Sequence, residues 1–280
     1  MRKLLKYEFR ALWRVFIPFW AGILVLGLLN GISLRPLLNN LAVDAFSGII
    51  LFAYVVAIFA VLVVALVFMI NRFYKGLLKD NGYLMFTLPV STDSLIWSKA
   101  VSSVLLFLGT GLCCALSFLF IMRDLPLEEL LRIGKELHVY FNVGGRILLF
   151  ACAAVCLLIF VAALFAGIFQ WYLSMSIGHL ANKGRGVLSI AALIGINIVR
   201  SVLGDVLGGL MQLGGGEPAQ WVMDITEQFT SMMWGTETQM TAALGMALVA
   251  LLVILLIQAM EALIFFFFTR LILNRRLNLE

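Results

Sequence analysis

A chain of 280 residues that is 63% hydrophobic and 12% charged, with a mean hydropathy of +1.07, is not a soluble domain. Such domains carry about 25% charged and about 45–50% apolar residues. The formal charge of +5 is small for this length, so no nucleic-acid partner is expected and the placement of the basic residues matters more than their total.

The opening "MRKLLKYEFRALWR" is basic and precedes an apolar run, as a secretory signal would. The run from Val15 to Leu34 is long, however, and no small-x-small cleavage site follows it, so it reads as a retained first span. Residues 1–16 read as an amphipathic interfacial helix. Leu5, Phe9, Leu12 and Phe16 form one face, with Lys3, Lys6, Arg10 and Arg14 in a stripe beside it. Apolar runs predict spans near 15–34, 46–70, 98–122, 147–172, 187–210 and 241–273, against the roughly 20 residues a helix needs to cross about 30 Å of hydrocarbon. The fifth has the shortest clean stretch, Val187 to Val199, and Arg200 and Asp205 interrupt the rest. Lipid cannot satisfy free backbone polar groups, and the runs lack the alternation of barrel strands. The predicted fold class is therefore all-α: a polytopic membrane protein with six transmembrane helices in a single transmembrane domain, 1–280.

Six spans place both termini on one side. Fourteen of the twenty Lys and Arg residues fall in the terminal segments, in 71–97 with Lys99, and in the turn after the fourth span; five fall in the opposite loops, and Arg200 lies within a span. This bias predicts cytoplasmic N- and C-termini. The outer loops are then 123–146 and 211–240. In the first, Pro126, Glu128 and Glu129 open a helix expected to lie on the outer surface. In the second, a glycine-rich bend precedes Trp221, Ile225, Phe229 and Met232 near helical spacing, which reads as another surface or re-entrant helix.

Catalytic motifs are missing. There is no G-x-x-x-x-G-K-[ST], no H-E-x-x-H and no G-x-S-x-G, so no catalytic residues, no metal and no cofactor are expected on this chain. Cys113, Cys114, Cys152 and Cys156 all fall within apolar runs. A thiol metal site between the third and fourth spans is conceivable, but small packing residues are the simpler reading. Arg200, Asp205 and Glu261 are ionisable groups in apolar surroundings, which by default mark a pathway or a buried pair. Arg200 and Asp205 read as snorkelling to the outer interface. Glu261 lies about 13 Å of helix before Arg270 and faces either a protein interior or lipid.

Four pieces carry a resemblance: "LLKYEFRALWRVFIPFW", "NRFYKGLLKDNGYLMFTLPVSTDSLIWSK", "SIGHLANKGRG" and "LILNRRLNLE". In this order, with six spans, the chain resembles the membrane permease subunits of type-two ABC exporters, particularly those of Gram-positive bacteria. The resemblance implies a multi-pass plasma-membrane protein that forms a translocation path with a second permease chain, as a homodimer or heterodimer. ATP and Mg would sit on a separate ABC ATPase, so the chain itself would not be an enzyme. It also implies that loop 71–97 supplies a coupling helix that docks on the ATPase. An apolar cluster beside charged residues suits such docking: Tyr83, Phe86 and Leu88, with Arg72, Lys75, Lys79 and Asp80 as a polar rim. Pro89 and the capping run Ser91–Thr92–Asp93 would then set the exit into the third helix. A plainer alternative lets the cluster dip into the inner headgroups, and the N-terminal basic face could anchor to anionic lipid. Other functional readings are an ion-coupled secondary transporter, with Glu261 as its proton-coupling candidate, or a non-transporting scaffold or immunity subunit on the same frame.

Overall fold

The computed structural model describes residues 2–33, 45–78, 91–121, 132, 143–181, 184–213, 227, 230–231 and 237–275. Among them there is no strand. Six long helices follow in order: α1 (Arg2–Ser33), α2 (Ala45–Phe73), α3 (Thr92–Ile121), α4 (Val143–Gly178), α5 (Arg185–Leu213) and α6 (Glu237–Arg275), with α2 continued by a π-helical turn, Tyr74–Leu78. All six are long and apolar enough to cross a membrane. Among the described residues the chain is all-helical, with six candidate transmembrane helices, as a membrane protein would be. The two outer-surface helices expected from the sequence lie for the most part outside the described residues.

Two helices differ in extent from the sequence expectation. α1 is unbroken from Arg2, so the basic N-terminal segment is continuous with the first candidate span and not a separate helix. Its apolar stripe is also turned inward: Leu12 and Phe16 are buried in a cluster with Ala65 of α2 and Leu106 of α3. Pro18 sits inside α1 without ending it, removing one backbone donor. α5 continues through Arg200 and Asp205 to Leu213. The start of α3 is as read: Ser91 Oγ accepts the Ser94 N–H at 3.4 Å, and the Ser91 carbonyl accepts the Leu95 N–H at 3.3 Å, which satisfies donors that an uncapped helix start leaves open.

The chain groups into two compact units, a finer division than the single transmembrane domain read from the sequence. One holds α1–α3 and the other α4–α6. In the first, contact partners on α1 and α3 rise together in number: Glu8 meets Lys99, Trp20 Nε1 donates to Thr110 Oγ1 at 3.1 Å, and Gly27 abuts Ser117. These two helices run parallel. Partners on α1 and α2 run in opposite senses, Glu8 with Arg72 and Asn30 with Ile50, so α2 is antiparallel to α1. The α1–α3 seam is close because it is glycine-lined. A Cβ added to Gly27 would lie 2.8 Å from Ser117 Cβ, one on Gly109 would lie 2.9 Å from the Trp20 ring, and one on Gly31 would strike the Phe120 carbonyl. Small residues at such seams let backbones approach where no hydrophobic effect drives association.

The second unit follows a similar plan. Cys152 of α4 faces the Leu244 carbonyl of α6 at 3.6 Å, and the rings of Phe169 and Phe266 stand 5.4 Å apart. The numbers again rise together, so α4 and α6 are parallel. The turn between α4 and α5 is tight: a Cβ on Gly178 would lie 2.7 Å from the Arg185 carbonyl, and Gly184 takes φ of 72°, a left-handed conformation that costs other residues about 1–2 kcal/mol. Buried hydroxyls in both units bond carbonyls one turn earlier, as Ser98, Ser102, Thr110, Ser117, Ser176 and Thr269 do. This satisfies them inside an apolar surround.

Candidate functional site

Glu8 is the only acid of α1, and helical spacing places it on the face that carries Leu12 and Phe16. It is 7% exposed. Its carboxylate pairs with the guanidinium of Arg72, near the end of α2, while Arg72 also donates to the Glu8 carbonyl at 3.1 Å. Lys99 of α3 approaches from the other side, with Nζ 3.5 Å from Glu8 Oε1 and 3.3 Å from the Arg72 carbonyl. Gly76 in the π-helical turn leaves room for this ammonium, since a Cβ there would meet Lys99 Cε at 3.0 Å. The Arg72 guanidinium lies 5.5 Å above the Phe68 ring, which meets Phe16 edge-on at 5.3 Å. Two cations and one carboxylate therefore share a buried node where α1, α2 and α3 meet.

Isolated charges out of water are costly unless paired. Here the pairing is also geometric, because Arg72 stands just before the π-helical turn and Lys99 lies two turns into α3. Both roots of the α2–α3 loop are thus tied to α1 by one carboxylate. π-helical turns occur often at functional sites. Among the loop residues predicted for docking, Arg72 is part of this internal node and Lys75 is exposed on the π-helical turn. Lys79, Asp80, Tyr83, Phe86, Leu88 and Pro89 lie outside the described residues.

A second charged contact lies in the α4–α6 unit. Arg200 Nε of α5 is 2.9 Å from Glu261 Oε1 of α6. Of the two readings of Arg200, snorkelling or a pair, the contact with Glu261 belongs to the pair, and the Arg200 side chain keeps 47% exposure. Asp205 stays exposed further along α5. An Arg on one apolar helix and a Glu on another lower each other's cost inside a membrane. Substituting Arg200→Leu or Glu261→Leu should each lower stability in detergent, and the double variant should lose less than the sum. A coupling of about 0.5–3 kcal/mol is expected from a thermal-unfolding cycle; additive losses would show that the pair does not interact.

Reading the sequence singled out neither Glu8 nor Lys99. The signal was present as a lone acid in a basic helix, in register with buried apolar positions, and a lone cation in the first turns of an apolar span. No group of three His, Cys, Asp or Glu side chains that could hold a metal occurs among the described residues. Cys152, with its contact to the α6 backbone, packs as a small residue would. Compared with protein-family models, curated proteins and solved structures, the chain shows no match.

Proposed function

We propose that this chain is the transmembrane subunit of an ATP-driven exporter, sited in the plasma membrane with both termini in the cytoplasm. It would form a translocation path with a second permease chain and be driven by separate ATPase subunits that hold ATP and Mg. The observation that carries this reading is the Glu8–Arg72–Lys99 node. It binds both roots of the α2–α3 loop to the first span, so a push on the loop would pass directly into three membrane helices. The work of such a subunit is conformational, a switch of packed helices between two access states.

The test is assembly with an ATPase encoded beside it. Reconstitution of the two should raise ATP turnover. The double variant Tyr83→Asp, Phe86→Asp should abolish complex formation measured by co-purification, because charge replaces the apolar centre of the contact. Undiminished association would overturn the docking assignment.

The Arg200–Glu261 pair lends support to one other reading, an ion-coupled secondary transporter. Substrate flux driven by an ion gradient, with no ATPase present, would favour it.

A further inference from the structure

Along the seam of α1 and α3 runs an apolar groove of about 430 Å³, within the ~300–1,000 Å³ of small-molecule sites. Leu12 and Leu106 form its buried floor. Trp13, Leu105 and Leu112 on its walls are 51%, 37% and 62% exposed, so the groove opens sideways from the helix pair, towards what would be lipid. Its shape is fixed by packing. Trp20 lies across Gly109, donates its indole N–H to Thr110, and meets Trp13 edge-on at 5.9 Å. From Phe9 to Trp20 the groove follows about 16 Å of helix rise.

The N-terminal end of this groove is basic. Lys6 stands three residues before Phe9 and seven before Trp13, and Arg10 three before Trp13, spacings that share a helix face. Both are exposed. The sole acid of α1 faces Arg72 and Lys99 inside the bundle, so no carboxylate of this helix offsets them. An apolar channel running away from two exposed cations is complementary to an amphiphile with one anionic head and a long hydrocarbon tail.

We propose that this groove is a binding site for an anionic phospholipid, with one acyl chain along Trp13, Trp20 and Leu112 and its phosphate held by Lys6 and Arg10. The site requires only a membrane and is independent of the exporter reading. It differs from general attraction of a basic helix to a charged surface, because tail and head are both specified.

Tryptophan fluorescence reads it directly, since two of the six tryptophans line the groove. The full chain is reconstituted in phosphatidylcholine vesicles containing a small fraction of lipid brominated on its acyl chains, either phosphatidylglycerol or phosphatidylcholine. Brominated phosphatidylglycerol should quench more strongly at equal mole fraction. Each cation near an anionic headgroup is worth roughly fivefold in binding, so Lys6→Gln with Arg10→Gln should lower the phosphatidylglycerol affinity roughly 25-fold and leave quenching by phosphatidylcholine unchanged. Cys113→Phe fills the groove and keeps both cations; it should also remove the preference. Equal quenching by the two lipids in the unsubstituted protein would overturn the site. A preference that survives the Lys6 and Arg10 changes would overturn the headgroup assignment, and one that survives Cys113→Phe would leave a surface charge effect in place of a groove.

Discussion

Replacing Glu8 with Gln should cost about 3–5 kcal/mol of stability, because it leaves two buried cations facing each other without their shared carboxylate. Lys99 has side-chain exposure of 4% and Arg72 of 18%, so water can compensate little at the first and only partly at the second. Thermal unfolding of the purified protein in detergent measures the loss, and a change under about 1 kcal/mol would show that the node is not held together by charge. Removing all three charges together is expected to be much milder. Glu8→Leu, Arg72→Met and Lys99→Met in one chain keep the volume and remove the desolvation cost, a kind of exchange that is often neutral or stabilising. If the node transmits motion from the α2–α3 loop, as the exporter reading requires, this triple variant should fold and bind the ATPase yet fail in ATP-driven transport. Full transport by the triple variant would reduce the node to a structural role.

Filling the glycine seam between α1 and α3 should be the other large loss. Gly27→Ile places its first side-chain carbon 2.8 Å from Ser117 Cβ and 2.9 Å from the Ser117 carbonyl, and Gly31→Ile drives into the backbone at Phe120. Backbone cannot rotate out of the way, so each change should cost at least the ~1–3 kcal/mol typical of overpacking. The first also disturbs α2, because Ser117 Oγ is 2.8 Å from the Tyr54 hydroxyl. Gly22 serves as the control: a Cβ there meets nothing within 4 Å, and Gly22→Ala should leave stability unchanged or raise it slightly through helix propensity. Unfolding temperatures of the three variants, compared in one detergent, decide the matter. Equal values for Gly22→Ala and Gly31→Ile would contradict the seam.

The six helices stand where the apolar runs placed them, since a length of hydrocarbon-compatible sequence is itself the physical cause of a span. What hydropathy could not see were the ends and the pairings. The first ten residues of α1 are too polar to read as span; just beyond them, Leu12 and Phe16 are covered by Ala65 and Leu106 of neighbouring helices, which no local pattern reveals. α5 looked broken at Arg200 because a lone charge is costly in lipid, and the cost falls once Glu261 stands opposite it. Glu8 and Lys99 are each odd in their own helix, and only the parallel alignment of α1 with α3 makes the two oddities one feature. The docking residues from Lys79 to Pro89 depend on a partner surface and were legible only through resemblance.

The strongest mate of α1 is not the next helix in the chain but the one after it. A nascent polypeptide must therefore deliver α1 and α2 to the bilayer before the surface that completes them has been translated. During that interval the Glu8 carboxylate lacks its lysine and the glycine ridge has nothing to lock into. Synthesis interrupted ahead of α3 would leave a hairpin whose Glu8–Arg72 pair is made but whose glycine ridge is uncovered, a recognisable target for membrane quality-control proteases, whereas arrival of α3 closes the seam and adds Lys99 to the charge node in a single step.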